Sequence, residues 1–362
     1  KLRLVVYHKP TIIFEKGAGY RGEYGFDDGF KYDELKKDYQ TLNMYGNNKD
    51  YYIPWLFVMP NQTATLKLNV KGLASDAKKD KNFKVYLKST DESAIKINTM
   101  ANIEMGYTEL NNSPTVNIFT KDAFGDWSLA SPKYVYILNN KGDTLGKIFI
   151  KCEEETKPRQ VALIYVKHDR NVYRKADANS TSLINYLNRY SHNQLLLQWE
   201  VVPTSASQYI DTLDISAEYQ ANPSTFTESG QRALLKLLGL YQLKTGINID
   251  NMKANGYKYF FVTNISTTPD EDGGQTGGIY SIGGNYGVLY KSSGDATEHT
   301  AHELGHGLGL SHTFCCENNG CKDADFQNHC TKKGETKNFM DYIERGRNTW
   351  FIFQFKKIIR PL

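Results

Sequence analysis

No run in this sequence approaches the roughly 18–20 consecutive apolar residues that a membrane-spanning helix requires. That excludes a helical transmembrane segment. Charge of one sign is also missing: 44 basic residues face 40 acidic ones, for a net +4, and no Lys/Arg block is interleaved with aromatics. A nucleic-acid partner is therefore not expected. No signal peptide is present at Lys1, a pattern shared by mature exported chains and cytosolic ones. Cysteine is scarce, with five copies, but Cys315, Cys316, Cys321 and Cys330 are crowded together. Local disulfides are the expected use of such a cluster. Adjacent cysteines seldom pair, so the expected connectivities are 315–321 with 316–330, or 315–330 with 316–321. The C-x-x-C spacing of zinc knuckles is absent, which argues against a second zinc site. Disulfides imply an oxidising compartment and hence an extracellular or cell-surface location.

What is present is concentrated between Asp295 and His312, in the stretch DATEHTAHELGHGLGLSH. His302, Glu303 and His306 form H-E-x-x-H, and Gly309 and His312 extend it to H-E-x-x-H-x-x-G-x-x-H. Residues four apart lie on one face of a helix, about one 5.4 Å turn apart, so His302 and His306 can present two imidazoles to one metal ion. Glu303 neighbours the first ligand and is free to act as general base on a water at the metal. Gly309 permits the positive φ that ends a helix sharply and returns a third imidazole from His312. Three histidines leave a fourth tetrahedral position open, as catalytic zinc sites do. The bare H-E-x-x-H would arise by chance in roughly one such chain in a hundred; the added Gly and His reduce that to roughly one in fifty thousand. Asp295 and Glu298 suggest a capping box, and Ala301, Leu304 and Leu308 a core-facing stripe. Gly305 and Gly307 are poor helix formers, each costing about 1 kcal/mol relative to Ala, which packing or the metal must offset. His299, one turn before His302, is expected to be a surface or supporting residue rather than a ligand.

This extended motif resembles that of the metzincin clan of zinc endopeptidases. The run Leu310–Phe314, the cysteines, and then Asn338-Phe339-Met340-Asp341-Tyr342 are most similar to the pappalysin-like branch. The resemblance implies a turn placing Met340 as an apolar floor beneath the imidazoles, and a Tyr342 that reaches the metal or the reacting carbonyl oxygen. It implies an edge strand above the metal that pairs with substrate backbone, within the Gly-rich stretch Gly273–Tyr290, at Ile279–Ile282 or Tyr286–Tyr290. It also raises calcium binding by Glu317, Asp323 and Asp325, set against a plain solvated loop.

The remaining chain reads as two regions, an α+β multidomain architecture. Residues 1–152 carry short β-type runs and no long helical pattern: Leu2–His8, Tyr51–Met59, Thr63–Val70, Phe83–Leu87, Ala94–Ile97 and Val116–Phe119, then a hairpin of Tyr134–Leu138 and Leu145–Cys152 around a turn-rich loop. These suggest an all-β sandwich of Ig-like type, with Ala18–Tyr45 as loop. Its role is open between a structural support, a module for a surface ligand such as a glycan or protein, and a prodomain. In the last case Cys152 could ligate the zinc and hold it latent, although its place in an apolar run reads as a buried structural thiol. Residues 153–159 read as a charged linker. Residues 160–362 alternate strands (Val161–Lys167, Leu195–Val202, Tyr257–Val262) with helices (Ser182–Tyr190, Glu228–Lys244), an α/β metzincin-type domain closed by a helix over Trp350–Ile359. The expectation is a secreted or cell-surface zinc endopeptidase acting on protein or peptide substrates. The alternative is a surface adhesion or glycan-binding protein with a latent or inactive zinc domain.

Overall fold

The computed structural model describes residues 10–42, 51–72, 83–98, 102–123, 133–153, 158–169, 179–205, 209–228, 231–269, 275–291, 296–314, 316, 323–342 and 346–359. The fold is mixed α+β, built on three main sheets. Among the described residues, no helix is long and apolar enough to cross a membrane. The expected strand Leu2–His8 and helix cap Asp295 lie outside the described residues.

The described residues up to 152 form a two-stranded pair, Thr41–Leu42 with Tyr51–Tyr52, and two main sheets. One is a four-stranded antiparallel sheet of Thr11–Lys16, Thr63–Lys71, Thr115–Thr120 and Ile95–Ile97, in that spatial order. The other has six strands, in the order Gly25–Asp27, Trp55–Val58, Thr144–Cys152, Lys133–Asn139, Lys84–Ser89 and Asn102–Gly106. The expected hairpin is there, with Gly142 at φ 80° in its turn. Side chains alternate across a strand, so each strand can serve two faces. Leu56, Val58, Ile148, Ile150 and Cys152 point into a core shared with the four-stranded sheet. Trp55, Phe57 and Phe149 point the other way, into the core that also holds the histidine helix.

That second core changes the expected relation between the two regions. It joins Leu35, Tyr39, Trp55 and Phe57 to Leu304, Met340, Phe353 and Phe355 in one apolar cluster. Phe57 and Phe355 have ring centroids 4.7 Å apart. The segment Ala18–Tyr45, expected as loop, instead contains the strand Gly25–Asp27 and two 3-10 turns, Gly29–Lys31 and Asp33–Asp38. It is the polar clasp between the regions. The Asp27 carboxylate accepts from Gly29 N at 2.8 Å, Tyr39 Oη at 2.5 Å and Ile352 N at 2.5 Å, the last opening the C-terminal helix Ile352–Ile359. Of the linker expected at 153–159, residues 154–157 lie outside the described residues; Glu153 is buried and ion-paired with buried Lys151, and Arg159 begins the next strand.

The third sheet carries the strands Trp199–Val201, Arg159–Lys167, Lys258–Val262, Tyr286–Leu289 and Gly278–Tyr280 in that order, with Thr212–Asp214 also on Arg159–Lys167. All pairings are parallel except the last, which makes Gly278–Tyr280 an antiparallel edge. The strand Arg159–Lys167 shows why this sheet is buried on both faces. Val161, Leu163 and Tyr165 face the core with the histidine helix, while Ala162, Ile164 and Val166 face a third core under the helix Gln231–Thr245. The strand expected at Leu195–Val202 is shorter. His192–Leu195 is a 3-10 turn, Leu196 has φ 57°, and only Trp199–Val201 is strand. The polar side chains of that turn are drawn into side-chain work: Asn193 Nδ2 donates to Gly22 O and Glu23 O of the clasp.

Candidate metal centre

The helix Ala296–Gly307 lies on the sheet with Ala301 and Leu304 in the core, as the apolar spacing predicts. Its two glycines have structural reasons. A Cβ at Gly305 would lie 2.6 Å from Met340 Sδ, and one at Gly307 would lie 2.7 Å from the Tyr280 ring. Their low helix propensity is the cost of letting a methionine and a tyrosine pack against the helix backbone. The helix ends at Gly309, with φ +90° and its N–H donating to His306 O at 2.8 Å. The chain then reverses and brings His312 back.

His302, His306 and His312 come together, with candidate ligand atoms all within 4.8 Å of one another. Their outer-shell bonds fix the chemistry. His302 Nδ1 lies 2.7 Å from Phe339 O, and His306 Nδ1 lies 2.7 Å from Leu310 O. A carbonyl only accepts, so both Nδ1 atoms carry the proton and both Nε2 atoms present lone pairs. His312 Nε2 sits 3.2 Å from each of those Nε2 atoms. Three nitrogens converging with at most one proton among them is the donor set of a cation site. Burial, and then the neighbouring imidazoles and Arg347, push the His302 pKa well below its ordinary value; burial likewise lowers His306 and His312. Neutral imidazoles are the ligating form. The three residues thus fit a metal ion, and imidazole donors suit zinc among other transition metals.

Glu303 is 4 % exposed, and its Oε2 is buried with no hydrogen-bond partner among the described residues. Burial pushes its carboxyl up to about 8, opposed by the charge of Arg347. The edge strand passes directly over it: a Cβ at Gly278 would lie 2.8 Å from Glu303 Cγ and Oε1. Tyr342 covers the opposite side. Its ring lies 4.5 Å from His312 and 5.6 Å from His302, while Phe314 stacks on His312 at 4.9 Å. The Tyr342 ring is 46 % exposed, yet desolvation pushes its phenol up to about 12, so it is a hydrogen-bond donor at neutral pH.

Several residues build this site through bonds that the sequence does not announce. Asp341 organises the turn beneath the metal centre. Its buried carboxylate accepts from Gly334 N, Thr336 N, Thr336 Oγ1 and Tyr342 N at 2.7–2.8 Å. Asn338 Oδ1 accepts from Met340 N at 2.8 Å, while its amide pairs with Gln354. Lys258 Nζ donates to Gly307 O at 2.8 Å, Gly284 O at 2.7 Å and Asn285 Oδ1 at 3.0 Å, tying the end of the histidine helix to the edge hairpin. His192 Nδ1 accepts from Trp199 Nε1, so its Nε2 carries the proton and donates to Ala301 O at 3.0 Å behind the helix. The Lys-x-Phe-Phe strand and the His-Asn-Gln turn are too common in composition to announce such roles.

Other expected residues are placed as follows. Cys316 and Cys330 form a disulfide with a Cα–Cα distance of 5.9 Å, which excludes the pairing of 315–330 with 316–321. Cys315, Cys321 and Glu317 lie outside the described residues, as does the side chain of Asp325. Asp323 forms an ion pair with Lys357 at 2.6 Å, so a cation already meets the one calcium candidate in view. Cys152 is a free thiol in the core between the two N-terminal sheets. Its Sγ lies 3.4 Å from Asp122 O, and burial raises its pKa to about 11. A protonated thiol sealed in that core is a packing group, not a ligand for the histidines. Comparison of the sequence with family models and with curated proteins finds no match to either.

Proposed function

We propose that this chain is a zinc-dependent endopeptidase. The observation that carries the proposal is the convergence of three imidazole nitrogens beside a buried carboxylate with an unpartnered oxygen. Bound by His302, His306 and His312, zinc would supply Lewis acidity, acidifying a water and polarising a peptide carbonyl. The chain's own groups do the rest. Phe339 O and Leu310 O hold the imidazoles in their ligating tautomer. Glu303 takes a proton from the attacking water as its oxygen bonds to the carbonyl carbon. It returns that proton to the departing amine nitrogen when the C–N bond breaks. The Tyr342 hydroxyl donates to the oxyanion formed at the carbonyl oxygen. The outer edge of Gly278–Tyr280, paired on one side only among the described residues, offers backbone groups to an extended peptide. Met340, fully buried under Gly305, supplies the apolar floor. The Cys316–Cys330 disulfide supports a location outside the reducing cytoplasm, with protein or peptide substrates met there.

The test is cleavage of a mixed peptide library by wild type and Glu303→Gln, with zinc measured in both. Glu303→Gln is expected to keep about one zinc per chain and lose about a thousand-fold or more in rate, given the usual size of acid–base effects. Equal cleavage by a clean Glu303→Gln sample would refute the assignment. Wild type with zinc bound and no cuts at all would favour the binding-protein alternative.

A further inference from the structure

Arg347 is 6 % exposed, a rare state for a charged side chain. Its position is fixed from two sides. Its Nε donates to Asp341 O at 3.0 Å, between Met340 and Tyr342. The preceding N–H, of Gly346, donates to Glu298 Oε1 at 3.2 Å, one helical turn before His302. The segment therefore spans from the turn under the histidines to the start of their helix, with the Arg347 side chain beside the site. Its charge is felt at His302, His312, Glu303 and Tyr342.

A guanidinium has five N–H donors in a planar fork. The described residues give this one a single acceptor, the Asp341 carbonyl on Nε, and leave both Nη atoms with none. Neither Nη is among the buried atoms left without a partner, so both keep some contact with solvent. A largely buried cation that meets one protein acceptor among the described residues gains when a ligand takes up its remaining donors. The ligand that matches the fork and the charge is a carboxylate, held by two parallel N–H···O bonds.

Resting on the endopeptidase reading, we propose that Arg347 is the specificity-determining residue of this site and that it receives a carboxylate of the peptide being cut. The source is an Asp or Glu side chain close to the scissile bond. A peptide's terminal carboxylate has the same chemistry and is separated from it by the test.

The experiment uses the full chain as wild type, Arg347→Gln and Arg347→Lys. The substrates are C-terminally amidated peptides differing at single positions near the cut, with Asp, Asn, Glu, Gln, Leu or Lys in turn, and a parallel set with free C-termini. Wild type is expected to favour an acid over its isosteric amide at one position by about tenfold or more in kcat/KM, the usual value of a charge-assisted pair. In Arg347→Gln the ratio should fall to near one, and in Arg347→Lys, which keeps the charge but not the fork, it should be intermediate. A preference for the free C-terminus that vanishes in Arg347→Gln would also support the proposal and assign the terminal carboxylate. Cleavage by wild type with no acid preference anywhere overturns it, as does a preference that survives Arg347→Gln. Should Arg347→Gln fail to fold, an acid–amide ratio unchanged in Arg347→Lys overturns it and a reduced one supports it. No cleavage of any peptide by wild type removes the endopeptidase reading itself, and this proposal with it.

Discussion

Gly278 offers a test of how tightly the Glu303 carboxyl is held. A methyl group there would have its carbon 2.8 Å from Glu303 Cγ and Oε1 and 2.9 Å from Cδ. Carbon contacts are comfortable at about 3.5–4.0 Å, so Glu303 or the edge strand must move by roughly 1 Å. Ala keeps the N–H and C=O that Gly278 contributes to its ladder with Leu289, so the sheet has no reason to break. The carboxylate is the softer element, and a displacement of about 1 Å at a reacting group costs on the order of a hundredfold in rate. Gly278→Ala should therefore lower kcat/KM by about ten- to a hundredfold, with zinc content and melting temperature close to wild type. A double-mutant cycle sharpens the test. Glu303→Asp withdraws the carboxylate by one methylene and makes room, so its cost should be smaller in the Gly278→Ala background than in wild type. Steady-state kinetics on one peptide, with zinc determined for each protein, reads all four corners. A wild-type rate in Gly278→Ala, or additive effects in the cycle, would refute the reasoning.

Three further perturbations probe the scaffold. Asp27 has its carboxyl pushed up to about 7 by burial, against its hydrogen bonds from Tyr39, Gly29 and Ile352. The folded state then holds this proton where the unfolded chain, near pH 4, has lost it, so this group's contribution to stability declines as pH rises from about 4 to about 7. Subtracting the pH–melting profile of Asp27→Asn from that of wild type should reveal this decline, and parallel profiles would contradict it. Asp341→Ala strands four donors in a buried turn and should cost roughly 2–4 kcal/mol by denaturant unfolding, with weaker zinc retention; a loss within about 0.5 kcal/mol would show that the turn is held by other means. Lys258→Met removes the tie between Gly307 O and the edge hairpin, and hydrogen exchange should quicken at Gly283 N–H, which bonds His306 O, and at the hairpin amides. Unchanged protection there would assign the tie to packing alone.

The histidine motif is legible because ligand chemistry fixes its spacing within one helix and one turn: Gly309 at positive φ and His312 returning follow from local geometry alone. The alternation of Thr63–Lys71 and the apolar run within Arg159–Lys167 are legible for the same local reason. What escapes the sequence is set by distant partners. Asp27 caps a helix 325 residues away, and nothing near Phe26-Asp27-Asp28 announces it. The short strand Gly25–Asp27 exists because Trp55–Val58 pairs with it, not because of its own propensity. In the sequence, Arg345 and Arg347 suggest a preference for acidic side chains no more strongly than they suggest ordinary exposed arginines; the bonds to Asp341 O and Glu298 are what distinguish the Arg347 segment. The role of Gly278 depends on what lies beneath it, which a glycine-rich composition does not disclose.

The core shared by the two regions has a consequence for how the protein is made. Synthesis delivers the N-terminal sheets first, and their own core can close once Cys152 has emerged. The opposite face, with Tyr39, Trp55, Phe57 and Phe149, meets its last partners only when Ile352, Phe353 and Phe355 leave the ribosome, some 200 codons later. For that whole interval a half-finished molecule displays a broad aromatic surface, and the Asp27 carboxylate waits for the Ile352 amide. The three histidines rest on that same core, so a polypeptide ending before Ile352 would lack part of the packing that supports them.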